Sequence, residues 1–121
     1  MHAQAQAIVP WDASMRCYLA ASLVADGRQL FQYNYGFVSQ PELKNENFTR
    51  NAYIHPIWTP SGRIITDDWA GKDKHWHHRG LFFAWTKSEI AGKPHDFWNL
   101  GAGTGKPFFV KFVEKFADGS G

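Results

Sequence analysis

One cysteine, Cys17, is too few to close an internal disulfide or to build a multi-thiolate zinc site. Long apolar runs are missing too: no stretch approaches the roughly 18 uncharged apolar residues that a membrane-spanning helix requires. Charge of either sign is sparse and scattered. Thirteen Lys and Arg against eleven Asp and Glu leave a formal charge of +2, and no basic stripe is available to track a phosphate backbone. These absences argue against a disulfide-stapled fold, a membrane partner and a nucleic-acid partner. A convincing signal peptide is also lacking. Met15–Ala25 sets one basic residue before a short apolar run, but it starts far from Met1 and leads into a hairpin signal, so a strand is expected there. The chain is expected to be soluble, and its compartment stays open.

What is present is apolar and aromatic. At 44% hydrophobic and 17% aromatic, the 121 residues have enough apolar side chain for one small core, and at 20% charged they lack the signature of disorder. Residues 1–21, which open with a Gln-Ala repeat, are expected to form a poorly ordered leader, and residues 22–121 a single β-rich unit. Asp26-Gly27 stands between an apolar run ending at Ala25 and the alternating segment Arg28–Tyr35, the strongest short-range hairpin signal. Polar residues 39–51 read as a loop. Strands are expected over Tyr53–Trp58 and Arg63–Thr66, joined by the turn Thr59-Pro60-Ser61-Gly62. The continuous apolar run Leu81–Trp85 reads as a central strand buried on both faces, Thr86–Pro94 as a loop and His95–Trp98 as a short extended piece.

Gly101–Lys106 invites a phosphate-loop reading that its spacing defeats: Leu100 stands where the first glycine belongs, and Pro107 where Ser or Thr is needed. Phe108–Phe116 fits both helical and strand periodicity, and its aromatic and β-branched content favours strand. Asp118-Gly119 then reads as a turn whose return strand does not follow. The expected fold class is all-β, a mostly antiparallel β-sandwich present here as an incomplete, N-terminal part of a larger sandwich domain.

Chemistry concentrates between Tyr53 and Leu100, which holds five of the six histidines, five of the six tryptophans and the pair Asp67-Asp68. Buried imidazoles and carboxylates are costly unless each finds a partner, so this density points to a shared polar site. In His75-Trp76-His77-His78-Arg79, strand alternation would put His75 and His77 on one face and His78 on the other. Two such imidazoles can serve one metal or one substrate. A third ligand would come from His55, Asp67, Asp68 or Asp73, a set suited to zinc, iron or manganese.

The expected catalytic residues are His75, His77, Arg79 and Asp68, and the expected ligand-binding residues His55, His78, Trp69 and Trp76. The metal set would be His75, His77 and His55. His55, His75, His77 and Arg79 should converge on one concavity, with His78 turned away or at its rim. Plainer roles compete: histidines that hydrogen-bond loops and stack on tryptophan, aspartates that close a turn, and Trp85 as core filling.

Three motifs carry a resemblance. Tyr53–Arg63 (YIHPIWTPSGR), His75–Trp85 (HWHHRGLFFAW) and Asp96–Gly101 (DFWNLG), with Phe31–Gly36 before them, resemble in order the bacterial family labelled methane oxygenase PmoA, over roughly Leu23 to Gly105. Residues 1–21 and the approach Lys72-Asp73-Lys74 depart from the pattern. The resemblance implies a β-sandwich about twice this length, found beside carbohydrate-degradation proteins, with a C-terminal half of the same domain as partner. It also implies a sugar-like small-molecule ligand. Its matching polar positions are His55, His75, His77, His78 and Arg79. An enzyme of this kind would be a carbohydrate-active hydrolase, lyase or isomerase rather than a methane oxygenase, since no stretch could span a bilayer. The alternative is a non-catalytic carbohydrate-binding module.

Overall fold

The computed structural model describes residues 3–6, 20–39, 44–70 and 75–113. Its strands are β1 (Ala3–Gln6), β2 (Ala20–Ala25), β3 (Arg28–Asn34), β4 (Tyr53–Ile57) and β5 (Asp68–Ala70), followed by β6 (His75–Arg79), β7 (Leu81–Phe82), β8 (Ser88–Ile90) and β9 (Lys93–His95). A five-stranded sheet runs β1-β2-β3-β4-β7, and two hairpin sheets, β5-β6 and β8-β9, accompany it. Every pairing is antiparallel, and the chain is all-β. Among the described residues, no helix is long and apolar enough to cross a membrane.

Asp26 and Gly27 have φ of 50° and 72°, so the expected hairpin closes through a primed turn between β2 and β3. Phe31 and Tyr33 of β3 face Ile57 and Ile54 of β4 in register, which fixes β4 as the next strand. The buried apolar residues are few: Ala25, Tyr35, Val38, Tyr53 and Leu100. Asn34, Arg50, Asn51 and Arg79 are buried among them, and the largest fully buried side chains are Arg50, Arg79 and Leu100. This interior is therefore organised as much by hydrogen bonds to two guanidinium groups as by apolar contact.

Several expected elements are corrected. Leu81–Trp85 is not a doubly buried central strand: only Leu81 and Phe82 pair, at the edge beside β4, and Leu81, Phe83 and Trp85 are half or more exposed. An apolar run looks the same at a sheet's edge and at its centre, because periodicity does not count neighbours. Arg63–Thr66 makes a single bridge, Ile64 to Trp58, rather than a strand, while Thr66 turns its hydroxyl onto the N–H of Ile57, 3.0 Å away. The loop expected at Thr86–Pro94 holds the hairpin β8-β9, closed by Ala91 and Gly92 with φ of 52° and 74°.

Residues 107–113 form no strand. Phe109 and Phe112, three apart, both pack on Tyr33 and Tyr35, which accounts for the helical component of their periodicity. Ala3–Gln6 lies inside the segment expected to be a poorly ordered leader, yet its backbone pairs with β2 from Ala3↔Ala25 to Gln6↔Ser22. The Asp118-Gly119 turn lies outside the described residues.

Candidate functional site

Gly80 joins β6 to β7 with φ of 56°, and this kink lays β6 against β4. On the buried side of the joint stands Arg79, fully enclosed. Its Nε and Nη2 hold the two oxygens of Asp68 on β5 as an ion pair, the second bond at 3.1 Å. Nη2 also donates to the Tyr53 hydroxyl at 2.9 Å, and Nη1 to the carbonyls of Phe48 and Val38 at 3.1 and 3.5 Å. Tyr53 completes the loop by donating to Asp68 Oδ2 at 2.9 Å. Burial above all pushes the Tyr53 phenol up from its ordinary value, so it stays a donor.

Every nitrogen of Arg79 is thus engaged with protein, and the guanidinium is out of a ligand's reach. Arg79 and Asp68, two of the expected catalytic residues, bind each other and Tyr53, which ties β5, β6 and β4 together. The expected meeting of Arg79 with a carboxylate occurs, but inside the structure.

Beyond Arg79, β6 presents its histidines. The ring of His75 stacks on that of His78 at 4.9 Å and 7°, and His77 meets His78 edge-on at 4.4 Å and His75 at 5.9 Å. Trp98 closes the group, 5.7 Å from His77 and 5.4 Å from His78. His78 is therefore neither turned away nor at a rim. Simple alternation fails because β6 advances from His75 to Arg79 while β5 advances only from Asp68 to Ala70, and this bulge re-aims the side chains between.

His55 stands apart. Its Nδ1 lies 2.9 Å from Thr66 Oγ1, and no ring contact joins it to the three imidazoles. Among the described residues no three His, Cys, Asp or Glu side chains converge to hold a metal, so His75, His77 and His55 are not brought together as ligands. Trp76 is half-buried on β6, and the Trp69 side chain lies outside what the structure describes.

Asp96 and Trp98, which are not among the expected catalytic, ligand-binding or metal residues, adjoin the cluster. Asp96 takes the N–H groups of Trp98 and Asn99 on Oδ1, both at 2.9 Å, and the Asn99 amide on Oδ2 at 2.6 Å. The Asn99 side chain is the main cause that holds its carboxyl below the usual range, and the nearby charge of His77 adds to it. Asp96 in turn favours the charged form of His77. Burial and the neighbouring His78 and His75 outweigh it, so His77 lies below its ordinary value and is neutral at pH 7. The local spacing Asp96-x-x-Asn99 is an Asx-turn pattern. Nothing local marks Trp98 as a neighbour of β6.

His55 is also lowered from its ordinary value of 6.5, mainly by burial, with Asp68 and Asp67 opposing. Because both His55 and His77 have depressed folded values, the unfolded chain takes up protons first as pH falls below about 6.5. Stability should be level above that point and decline in acid through the folded values. Urea unfolding at pH 7.5 and 5.5 checks this: the midpoint should fall in acid, and less so in His55→Gln. A midpoint that is unchanged or higher at pH 5.5 would contradict the assignment.

Fold and site together define an all-β domain with a cluster of three imidazoles set on a buried arginine–aspartate–tyrosine network. A model of a family of unknown function, DUF6807, matches residues 20–119, and the chain belongs to that family. No curated protein and no solved structure matches it.

Proposed function

We propose that the imidazole cluster binds a carbohydrate or related polyol and acts on it, with His77 as the acid/base group. The observation that carries this reading is His77 itself: a half-buried, neutral imidazole with the ionised carboxylate of Asp96 close enough to act on it. A neutral imidazole can accept a proton from a sugar hydroxyl, and Asp96 stabilises the imidazolium that results. His75 and His78 add polar edges for neighbouring hydroxyls, and Trp98 adds an apolar surface for the C–H face of a sugar ring. The resemblance to the methane oxygenase PmoA family, found beside carbohydrate-degradation proteins, supports the same substrate class.

One observation favours the non-catalytic alternative. Both oxygens of Asp96 are already occupied within their own turn, so His77 has a neighbouring charge but no second group free to relay a proton. Binding and turnover are separable. Titration calorimetry of the full chain against D-glucose, D-galactose, D-mannose and D-xylose should find a ligand among them. His77→Ala should weaken it at least about tenfold, as loss of one buried hydrogen-bond partner does, and His75→Ala with His77→Ala should abolish it with an unchanged melting temperature. Product formation by NMR would establish an enzyme, and binding without product the module. A wild-type chain that binds none of these sugars would overturn the reading.

A further inference from the structure

Trp85, expected to fill the core, is 63% exposed, and its ring is backed by Phe83 at 6.0 Å and 22°. Phe83 in turn meets Phe97 edge-on at 5.2 Å, and Phe97 lies parallel to His95 at 6.2 Å and 25°. This column rests on fixed backbone. Buried Arg50 lies over the Phe82 ring at 4.1 Å and donates from Nη2 to the carbonyls of Phe83 and Phe97 at 3.1 and 2.8 Å, and the N–H of Phe97 reaches Trp85 O at 2.8 Å. One face of Trp85 is thus held against a partner by a rigid frame. A large ring held rigid and exposed is an interaction surface rather than stray hydrophobicity.

Beside it opens a cleft of about 410 Å³ lined by Thr86, Lys87, Glu89, His95, Asp96 and Thr104, among others. Its far wall is pinned where His95 Nδ1 donates to Thr104 O at 2.6 Å and the N–H of Asp96 reaches Thr104 Oγ1 at 3.2 Å. Thr86 of the lining follows Trp85 in the chain, and Asp96 of the lining is the carboxylate whose charge acts on His77. Its accessible lining is mainly apolar, and its remaining polar groups come from Thr86, Lys87, Ser88 and Glu89, because the Asp96 carboxylate and Thr104 Oγ1 are already engaged. Apolar surface with a few hydroxyl and charged groups fits the C–H faces and the hydroxyls of neutral sugar units.

The geometry points to an extended subsite: the Trp85 ring and the cleft beside β8-β9 bind further units of a neutral oligosaccharide whose reacting unit sits at the imidazole cluster. A pyranose unit would lay its C–H face on the free side of Trp85 and turn its hydroxyls to the polar residues of the cleft. The inference rests on the saccharide reading of His77 and adds the length of the substrate. An oligomer then has two anchors on one chain, and its affinity exceeds that of a single unit.

The test compares D-glucose, D-galactose, D-mannose and D-xylose with the linear β-1,4-linked tetramer of each, by calorimetry on the full chain. The preferred tetramer should bind about tenfold or more tightly than its monomer. Trp85→Ala should remove that gain, about a tenfold loss, while leaving the affinity for the monomer unchanged. Trp85→Phe should recover part of it. Glu89→Ala, on the exposed hairpin, should lower tetramer affinity several-fold and covers the case in which Trp85→Ala does not fold. Equal affinity for monomer and tetramer, or tetramer binding untouched by both alanine variants, overturns the subsite and leaves the His77 reading standing. If Trp85→Ala instead shifts melting temperature or association state without changing sugar binding, the ring is a protein contact and the inference fails. Absence of binding to every sugar overturns both.

Discussion

Arg79→Ala should lower the unfolding free energy by about 3–5 kcal/mol, the range for removing one partner of a buried ion pair. The loss has several parts. Asp68 would keep a largely enclosed carboxylate without its counter-ion, Tyr53 would lose the donor to its hydroxyl, and the Phe48 carbonyl would lose its guanidinium donor, while Val38 O would keep the N–H of Arg50. Asp68→Ala should be comparably severe for the opposite reason. It would leave buried Arg79 without this counter-ion and within reach of the charge of Arg50, which is already pulled down to about 10, by burial first and by Arg79 second.

Arg79→Met with Asp68→Leu should recover part of the loss, because an apolar pair is less costly than a lone buried charge. Recovery should be incomplete, since the Phe48 carbonyl remains without its guanidinium donor. Denaturant unfolding of the four proteins measures the coupling directly. A single substitution that changes stability by less than about 0.5 kcal/mol, the range of ordinary surface changes, would mean that this network does not hold the site up.

Gly80→Ala should be the most damaging glycine substitution tested against Gly27→Ala. Both residues have positive φ, at 56° and 72°. A Cβ at Gly27 would meet nothing within 4 Å, so only backbone strain of about 1 kcal/mol is expected there. At Gly80 the added atom would press on the carbonyl oxygen of Ile54 and lie 2.8 Å from His55 Cβ. Backbone and a rooted side chain cannot give way as a flexible tip can, so β6 would have to move off β4, at a total cost above about 2 kcal/mol. The displacement would carry the three imidazoles with it. Sugar affinity and stability should therefore fall together in Gly80→Ala, whereas Gly27→Ala should keep full affinity. A Gly80→Ala protein as stable as Gly27→Ala would refute the close packing of this joint.

Much of this molecule was legible along the chain. Local signals need only local physics: Asp26-Gly27 could be read as a primed turn because positive φ is a property of two residues, and Phe31, Tyr33 and Tyr35 declare a strand by alternation. The crowding of imidazole and tryptophan between Tyr53 and Leu100 marked where the polar groups would gather, and the all-β class followed from short runs between turn signals. What each polar residue would do was decided only by the tertiary structure. Arg79 and the histidines are neighbours in sequence, but the guanidinium turned inward to Asp68, Tyr53 and two distant carbonyls, while a bulge in β6 brought His78 back among His75 and His77. Leu81–Trp85 could not announce that it would lie at an edge, because burial depends on how many strands lie beyond it. Asp96 and Trp98 became neighbours of His77 by chain folding alone, since electrostatics and ring contact act through a few ångströms of space and have no counterpart in sequence separation.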